Sequence, residues 1–567
     1  DPADFSPAPA AGHGQCRRSS STLRPGVARV GAALQDDQFD AVIVGAGFAG
    51  LYMLHTLREH GFTARAFEVA GDVGGTWYWN RYPGARCDVE SLEYSYSFSP
   101  ELEQEWEWTE RYAGQPEILR YAQHVADRFD LRRDIRFDTR VQSAVFDDAT
   151  TGWTITTRDH DGNERTTHSQ FLIMAVGCLS STNLPEFPGR DSFAGASYHT
   201  GTWPHEGVDF TGKRVAVIGT GSSAVQSIPV MAEQAAHLTV FQRTATYTVP
   251  AHNRPLGPDE VAEVKANYRA LRAANRQMSG GFGAWFPRGD GVAAEADPAE
   301  RDADFEARWN VGGFTYLGGY SDFLLNAASN ETAAEFVRHK IAATVHDPET
   351  AALLMPSHVI GCKRLCFDSG YYETFNRPNV SLVDVSRQPI EEITPTGVRV
   401  GGVDYEVDAI VYATGFDAMT GSLLKINARG PAVSLQQAWE AGPRTYLGLA
   451  VHGLPNMFTI SGPGSPSVLT NMITSIEQHV EWIRECLIQL RARGLRRIEA
   501  TEAAQDAWVD YVNMVADMTL FPTCNSWYLG ANVPGKTRVF MPLPGFPPYA
   551  EQCAAVAAND YEGFALA

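Results

Sequence analysis

Short apolar runs, each followed by a glycine-rich turn and a longer helical segment, recur along the chain. The first run, Phe39 to Val44, reads FDAVIV and leads through a turn into a helical stretch that ends near His60. Gly61 stops this helix, and a second apolar run follows at Ala64 to Phe67. Unbroken apolar runs of this length on either side of a helix are typical of neighbouring parallel strands buried on both faces. The pattern predicts a strand-helix-strand unit.

The turn after the first strand, GAGFAG, carries Gly45, Gly47 and Gly50. Glycines at this spacing let the backbone approach a pyrophosphate, while the following helix presents free N–H groups and a partial positive charge. Glu68 lies 23 residues after Gly45, where an acidic side chain accepts hydrogen bonds from ribose hydroxyls. These positions predict a dinucleotide site.

The same pattern recurs at Arg214 to Ile218, where the turn GTGSSA supplies Gly219, Gly221, Ser222 and Ser223 before a helix and the strand Leu238 to Phe241. An acid is missing at the end of this second strand. Gln242 stands at the position equivalent to Glu68, and Arg243 and Thr244 follow it, so a 2'-phosphate is attracted rather than repelled. We therefore predict FAD at the first site and NADPH at the second.

Two further apolar strands indicate where the chain leaves each nucleotide-binding fold: FLIMAVG at residues 171–177 and AIVYATG at residues 409–415. Helix starts recur between them at Pro258, Pro298, Ser329 and Pro348. The predicted fold is α/β, with two Rossmann-like dinucleotide-binding domains and a helical insertion. The predicted boundaries are a disordered tail at 1–38, an FAD domain at 39–177 and 414–567, an NADPH domain at 178–254 and 357–413, and the insertion at 255–356.

Composition changes this picture little. The chain has 567 residues, a formal net charge of -21 and a pI near 5.2. A negative field of this size repels nucleic acid and anionic membranes, and no apolar run approaches the roughly 20 residues of a membrane-spanning helix. We expect a soluble, cytoplasmic protein that binds neither. The oligomeric state is not predicted.

The cysteines argue against two other classes of protein. There are eight, and none forms a CxxC pair. Their sparse spacing argues against a disulfide framework or a zinc ribbon, and we predict no metal site. A flavoprotein of the thioredoxin-reductase type needs two thiols at the CxxC spacing, so this class is disfavoured.

The segment FAGASYHTGTWP, which precedes the second glycine turn, narrows the prediction further. Its residues Phe193, Gly195, His199, Trp203 and Pro204 resemble the signature of type I Baeyer-Villiger monooxygenases. The resemblance extends from about Phe39 to Phe564, and it is greatest with the phenylacetone and steroid monooxygenase branches. It implies an enzyme that converts ketones, favouring bulky cyclic, aromatic or steroid ketones, to esters or lactones with FAD, NADPH and dioxygen, through a C4a-peroxyflavin.

The resemblance also implies catalytic residues. Arg364, in GCKRLCFDSGYYETFN, matches the family's arginine that points at the flavin, and Lys363 matches the lysine directed at the nucleotide phosphate. Asp88, in RYPGARCDVES, matches the carboxylate that orients this arginine. Physical reasoning agrees, because the attacking peroxide and its adduct with the ketone are anionic, and a fixed arginine stabilises both.

The remaining site predictions also come from the resemblance. His199 is grouped with the catalytic residues. Domain positioning is its favoured role, and structural hydrogen bonding and direct chemistry stay open. The segment from Ser526 to Lys536 is assigned to a mobile loop that closes over nucleotide and substrate. Further flavin and nucleotide contacts are predicted for Gly75, Thr76, Trp77 and Trp527. The predicted substrate pocket comprises Cys178, Leu179, Ser467, Val468 and Leu469.

Two other functions stay open on the sequence. A related flavin monooxygenase that oxygenates nitrogen or sulfur would demand less of Arg364 and would not normally carry the full FAGASYHTGTWP segment. A non-catalytic sensor could use the same two folds to recognise a partner, but it would have no need of Arg364, Lys363 and Asp88 in one cleft.

Overall fold

The computed structural model describes residues 37–536, Met541 and residues 545–567. Residues 1–36 of the predicted tail therefore lie outside the described residues. The last two residues of that predicted tail are described, and they belong to the first strand, which begins at Asp37. The predicted boundary at residue 38 was wrong by these two positions.

The described residues form helices and strands in alternation. The strands are β1 (Asp37–Val44), β2 (Ala64–Phe67), β3 (Ile135–Arg136), β4 (Thr139–Asp147), β5 (Gly152–Asp159), β6 (Glu164–Met174), β7 (Ala196–His199), β8 (Arg214–Ile218), β9 (His237–Gln242), β10 (Thr248–Pro250), β11 (Cys366–Asp368), β12 (Val380–Asp384), β13 (Ile390–Thr394), β14 (Gly397–Val400), β15 (Val403–Glu406), β16 (Ala409–Tyr412), β17 (Asn427–Arg429), β18 (Met457–Thr459), β19 (Ile498–Ala500) and β20 (Phe564–Leu566). The helices are α1 (Phe48–Glu59), α2 (Thr76–Trp79), α3 (Pro100–Glu105), α4 (Gln115–Arg128), α5 (Ser222–Gln234), α6 (Pro258–Asn275), α7 (Pro298–Val311), α8 (Ala327–Thr344), α9 (Pro348–Leu354), α10 (Tyr371–Thr374), α11 (Gly421–Leu424), α12 (Leu435–Ala438), α13 (Met472–Ala492), α14 (Glu502–Asp517) and α15 (Phe546–Ala558).

The first nucleotide-binding unit is built on an eight-stranded sheet in the order β17-β4-β5-β6-β1-β2-β3, with β18 also paired to β6. Strand β1 runs parallel to both of its neighbours, with Ala41 opposite Ala64 and Val44 opposite Met174. Strands β4 and β5 are antiparallel. The late strands β17 and β18 return to this sheet after the second unit has been completed.

The second unit is a five-stranded parallel sheet in the order β12-β9-β8-β16-β7. Its central strand β8 has buried side chains from Val215 to Ile218, as an apolar strand covered on both faces requires. Strand β7 adds the segment Ala196–His199 to the edge of this sheet. The prediction of an α/β fold with two Rossmann-like folds is confirmed.

Several predicted element ends differ from those observed. Strands β6 and β16 end at Met174 and Tyr412, three residues before the predicted ends, because the residues that follow leave the sheet as irregular backbone. Helices α6, α7 and α9 begin at the predicted prolines. Helix α8 begins two residues earlier than predicted, since the Asn326 side chain caps it by accepting from two backbone N–H groups.

One disulfide links Cys362 to Cys524, which are 162 residues apart in sequence. The cysteine spacing argued against a disulfide framework and did not predict this single bond. The two cysteines form no short motif, because only the fold brings them together. The other described cysteines, Cys87, Cys178, Cys366, Cys486 and Cys553, are buried free thiols. Among the described residues no helix is long and apolar enough to cross a membrane, and no cluster of His, Cys, Asp and Glu could hold a metal ion.

Candidate active site

The first glycine turn is shaped for close approach of a ligand to the backbone. Gly45 has φ of +105°, and a Cβ there would lie 2.5 Å from the carbonyl oxygen of Ala175. Gly47 packs against Gly75, whose φ of +53° also favours glycine. Helix α1 starts at Phe48 with no side-chain cap, so its first N–H groups remain available to an anion. The turn therefore fits a pyrophosphate.

The Glu68 carboxylate lies beside this turn, at the end of β2. Its two oxygens accept from the backbone N–H groups of Ala46, at 2.7 Å, and Ala70, at 2.8 Å. Burial raises the pKa of Glu68, while these hydrogen bonds lower it, and burial prevails. Each oxygen retains capacity to accept a further hydrogen bond. A ribose hydroxyl fits this arrangement, as the sequence predicts for FAD.

The second turn repeats the first in geometry. Gly219 has φ of +113°, and a Cβ there would collide with the carbonyl oxygen of Ala413. A Cβ at Gly221 would meet nothing within 4 Å, so the backbone is open on that side. Helix α5 follows at Ser222, again without a side-chain cap. The flanking hydroxyls are held in place, with Ser222 beside the Cys366 thiol at 3.2 Å.

Two cations stand near this second turn with no acidic partner. Within the part of the chain that the structure describes, neither Arg243 nor Lys363 makes an ion pair. Burial lowers the pKa of Lys363, and the charge of Arg243 lowers it further. Two cations held close enough to perturb each other favour an anion between them. The site fits the 2'-phosphate that distinguishes NADPH from NADH.

Arg364 is the most constrained cation of the site. Its Nε and one terminal nitrogen donate to the two oxygens of Asp88, at 2.7 and 2.6 Å, and its other terminal nitrogen donates to the Val468 carbonyl at 3.1 Å. The Phe314 ring lies 4.7 Å below the guanidinium carbon. Burial lowers the pKa of Arg364, but Asp88 and the Tyr528 hydroxyl outweigh burial, so the pKa is raised and the side chain stays charged.

A cavity of about 570 Å³ joins these groups. Arg364, Lys363 and the Gly219 turn all line it. The predicted site residues that line it are Thr76, Trp77, Leu179, Gly219, Gly221, Ser222, Ser223, Arg243, Thr244, Lys363, Arg364 and Trp527. The fold thus collects residues from widely separated parts of the chain around one space.

Of the remaining predicted residues, Gly45, Gly47 and Gly50 belong to the first turn, Gly75 packs against Gly47, and Glu68 accepts from the Ala46 N–H beside that turn. Asp88 stands behind Arg364. The predicted substrate residues Cys178, Leu179, Val468 and Leu469 share one apolar cluster with Tyr528. Ser467 borders this cluster through its hydroxyl, which lies 3.6 Å from the sulfur of Met419.

His199 is buried at the end of β7 and does not line the cavity. Its Nδ1 accepts from the Gly201 N–H at 2.9 Å, and its Nε2 lies 3.4 Å from the Thr414 hydroxyl. Burial lowers the pKa of His199. Thr414 lies just after β16, where the chain leaves the second sheet, so these contacts join the segments that follow β7 and β16. A role of His199 in positioning the domains stays a prediction.

The segment from Ser526 to Lys536 also contacts the residues that follow β16. The Asn532 side chain donates to the Phe416 carbonyl at 2.8 Å, and the Asn532 carbonyl accepts from Asn183 at 3.0 Å. The Lys536 ammonium pairs with Asp417 at 2.5 Å and also donates to the Ala418 carbonyl. In this position Trp527 lines the cavity.

Two neighbours of Arg364, Tyr528 and Phe314, were not predicted from the sequence. Tyr528 adjoins the predicted Trp527 and could have been found from the same motif. Phe314 lies in the 3-10 helix Gly313–Gly318, within the stretch predicted as a helical insertion without motif chemistry. Only the fold reveals that this stretch contributes a ring to the site.

The family model for flavin-binding monooxygenase-like proteins matches residues 40–255. A Baeyer-Villiger monooxygenase from Pseudooceanicola batsensis is 44% identical over 92% of this chain and 95% of its own. A phenazine N-monooxygenase from Lysobacter antibioticus is 43% identical over 93% of this chain and 97% of its own. A solved structure of an oxidised steroid monooxygenase bound to NADP has a TM-score of 0.87 and 53% identity, and the match covers 93% of this chain and 99% of that one.

Proposed function

This chain belongs to the Baeyer-Villiger monooxygenases, which are FAD- and NADPH-dependent flavoenzymes, and from that premise we propose its preferred substrate class and the roles of its site residues. The substrate class is bulky cyclic, aromatic or steroid ketones. One oxygen atom from dioxygen is inserted beside the carbonyl to give an ester or lactone, and the other leaves as water. When bound, FAD activates the dioxygen and NADPH supplies the electrons.

The first glycine turn and Glu68 hold FAD by its pyrophosphate and ribose. The second turn holds the pyrophosphate of NADPH, while Arg243 and Lys363 hold its 2'-phosphate. The support for this assignment is the pair of unneutralised cations at the second turn and the carboxylate at the first. The 2'-phosphate of NADPH would be attracted by the two cations at the second turn and repelled by the Glu68 carboxylate at the first.

The observation that carries the catalytic assignment is the fixed geometry of Arg364 at the cavity wall. Attack on a ketone converts the neutral carbonyl oxygen to an anion. A cation already held in place by Asp88 stabilises that anion without reorganising, and in a site with little water such an interaction contributes about 3 kcal/mol. Arg364 is the catalytic residue in this proposal, and Asp88 positions it.

The preference for bulky ketones is supported by the apolar cluster beside Arg364 and by the 53% identity with a steroid monooxygenase. Cys178, Leu179, Val468 and Leu469 present apolar surface, so a ketone with a large hydrocarbon body gains from burial there. Ser467 stands at the edge of the same cluster. A small aliphatic ketone would leave most of this surface uncovered.

The test is to incubate the yellow holoenzyme with NADPH, air and a panel of ketones from cyclohexanone through phenylacetone to progesterone. We expect products one oxygen heavier, identified as esters or lactones by mass spectrometry, with the larger ketones preferred at equal concentration. Preference for the smallest ketone would refute the substrate class. NADPH oxidation that yields only hydrogen peroxide with every ketone would refute ketone oxidation.

The relative that oxygenates phenazine nitrogen favours a second candidate, N-oxygenation of a heteroaromatic amine. Adding phenazine to the same panel separates the two functions. An N-oxide without any ester would support the second candidate. Because an electrophilic oxygen transfer builds less negative charge on the substrate, N-oxide formation would also survive the substitution Arg364→Ala.

A further inference from the structure

The disulfide connects the two segments that meet at Arg364. Cys362 stands two residues before Arg364, and Cys524 stands four residues before Tyr528. Both cysteines are buried, at 0% and 4% exposure. They belong to the same apolar cluster as Tyr528, Cys178 and Val468. The covalent link therefore spans the interface between the arginine loop and the C-terminal segment.

Three of the N–H groups of Arg364 are engaged by the protein. A guanidinium has five N–H groups. Asp88 accepts from two of them and the Val468 carbonyl from a third. The buried Tyr528 belongs to the same apolar cluster as Val468, and its hydroxyl lies close enough to the guanidinium to raise the pKa of Arg364. Two N–H groups then remain for a ligand, and their directions are set by the contacts around them.

Tyr528 is held beside the guanidinium by its own local structure. It lies in the 3-10 helix Trp527–Leu529, whose cap is the Ser526 hydroxyl, which accepts from the Tyr528 N–H at 3.2 Å. Its side chain is buried, and burial raises the pKa of Tyr528 to about 12, against the lowering effect of Arg364. The hydroxyl thus stays protonated at working pH.

We propose that the Cys362–Cys524 disulfide is a staple that keeps Tyr528 against Arg364, and that Tyr528 is a positioning residue on which the coupling of NADPH oxidation to ester formation depends. The proposal rests on the proposed function for its activity readout. Without the disulfide, the segment that carries Tyr528 is held near Arg364 by noncovalent contacts alone. Arg364 then spends part of its time without the Tyr528 hydroxyl beside it, and its two remaining N–H groups lose a fixed direction.

Four proteins test the staple: wild type, Tyr528→Phe, the double variant Cys362→Ala/Cys524→Ala, and the variant combining all three substitutions. Two matched controls remove equivalent groups elsewhere. Cys486→Ala removes a buried free thiol, and Tyr549→Phe removes a buried hydroxyl bonded to the Leu447 carbonyl. Each protein is checked for flavin content and for its thermal midpoint, and the ratio of ester to hydrogen peroxide formed per NADPH is measured with one accepted ketone.

We expect Tyr528→Phe to lower this ratio about tenfold, because the guanidinium loses the polar hydroxyl beside it. The double cysteine variant lowers it in the same direction. In the combined variant the two effects are not additive, because both act through one contact. The controls keep the wild-type ratio. Full additivity, or a wild-type ratio in either Tyr528→Phe or the double variant, would overturn the proposal.

A second readout does not need turnover. Hydrogen exchange of residues 521–536 is measured on the flavin-loaded protein without NADPH. We expect faster exchange in the double cysteine variant and unchanged exchange in Cys486→Ala. If wild type makes no ester but exchange responds in this way, the proposed function fails and the staple stands. If ester is made but neither exchange nor coupling responds, the staple fails alone.

Reduction of wild type covers the case in which the double variant does not fold. A water-soluble phosphine breaks the S–S bond and gives two thiols. The phosphorus supplies the two electrons and one water molecule supplies the two protons. The oxygen of that water remains on the phosphorus as the phosphine oxide. Peptide mapping before and after confirms the linkage. We expect the reduced protein to match the double variant in exchange and coupling. Alkylation of both thiols in denatured, unreduced protein would overturn the staple directly.

Discussion

The substitution Asp88→Asn removes the charge that holds Arg364 while keeping the size of the side chain. The carboxylate accepts two hydrogen bonds from the guanidinium, and the two side chains are only 25% and 18% exposed. The amide offers one acceptor oxygen and turns an NH₂ group toward a cation. Loss of one partner from a buried pair costs about 3 kcal/mol, which we expect as the fall in the free energy of unfolding.

The same substitution should lower the rate of ester formation without stopping NADPH oxidation. With Arg364 no longer oriented, we expect ester formation to fall about 100-fold to 1000-fold, the range for removal of one preorganised donor to an oxyanion. NADPH oxidation should continue, with hydrogen peroxide as the product. The assay follows NADPH by absorbance and ester by mass on the same flavin-loaded sample.

Asp506→Asn is the matched control, because Asp506 pairs with Arg444 at the surface, where both are more than a third exposed. We expect this variant to keep both activities and to change the free energy of unfolding by less than about 1 kcal/mol. Ester formation by Asp88→Asn within threefold of wild type would refute the orienting role of the carboxylate.

Other predictions concern the nucleotide and the core. Arg243→Ala should raise the KM for NADPH about 100-fold and leave the KM for NADH unchanged, since the variant loses a charge-assisted contact to the 2'-phosphate. Equal effects on the two KM values would refute that contact. The lowered pKa of Lys363 predicts that the KM for NADPH rises with increasing pH below the usual lysine range, and that Lys363→Arg removes this rise. Burial lowers the pKa of His479 to about 3, while the unfolded state titrates near 6.5. Between these values the unfolded state binds the extra proton, so the free energy of unfolding should fall by about 1.4 kcal/mol per pH unit on acidification, and His479→Gln should flatten this slope in urea titrations.

Much of the fold followed from the sequence because the glycine turns impose local geometry. Gly45 and Gly219 adopt positive φ at the same point of each unit, and strand β8 has the predicted bounds. Strands β6 and β16 were predicted three residues too long, since apolar composition does not distinguish a strand from the irregular backbone that follows it. The cap at Asn326 was likewise overlooked in favour of the residues after it.

The juxtaposition of candidate site residues could be predicted where a motif marked them and not elsewhere. Arg364 and Asp88 are 276 residues apart in sequence, and the resemblance paired them before the structure brought them to 2.6 Å. Phe314 and the Cys362–Cys524 link have no local signal. Their partners are set by tertiary packing alone, so only the folded chain shows that they converge on the same arginine.

We propose that this enzyme inserts oxygen beside a ketone carbonyl and that Arg364 stabilises the anion formed on the carbonyl oxygen. The most direct test compares wild type and Arg364→Ala, both loaded with FAD, in one reaction with NADPH, air and a ketone that the wild type accepts. The account predicts an ester or lactone one oxygen heavier from the wild type, and NADPH oxidation without that product from the variant. An equal ester yield from the variant, or no ester from the wild type with any ketone, would contradict it.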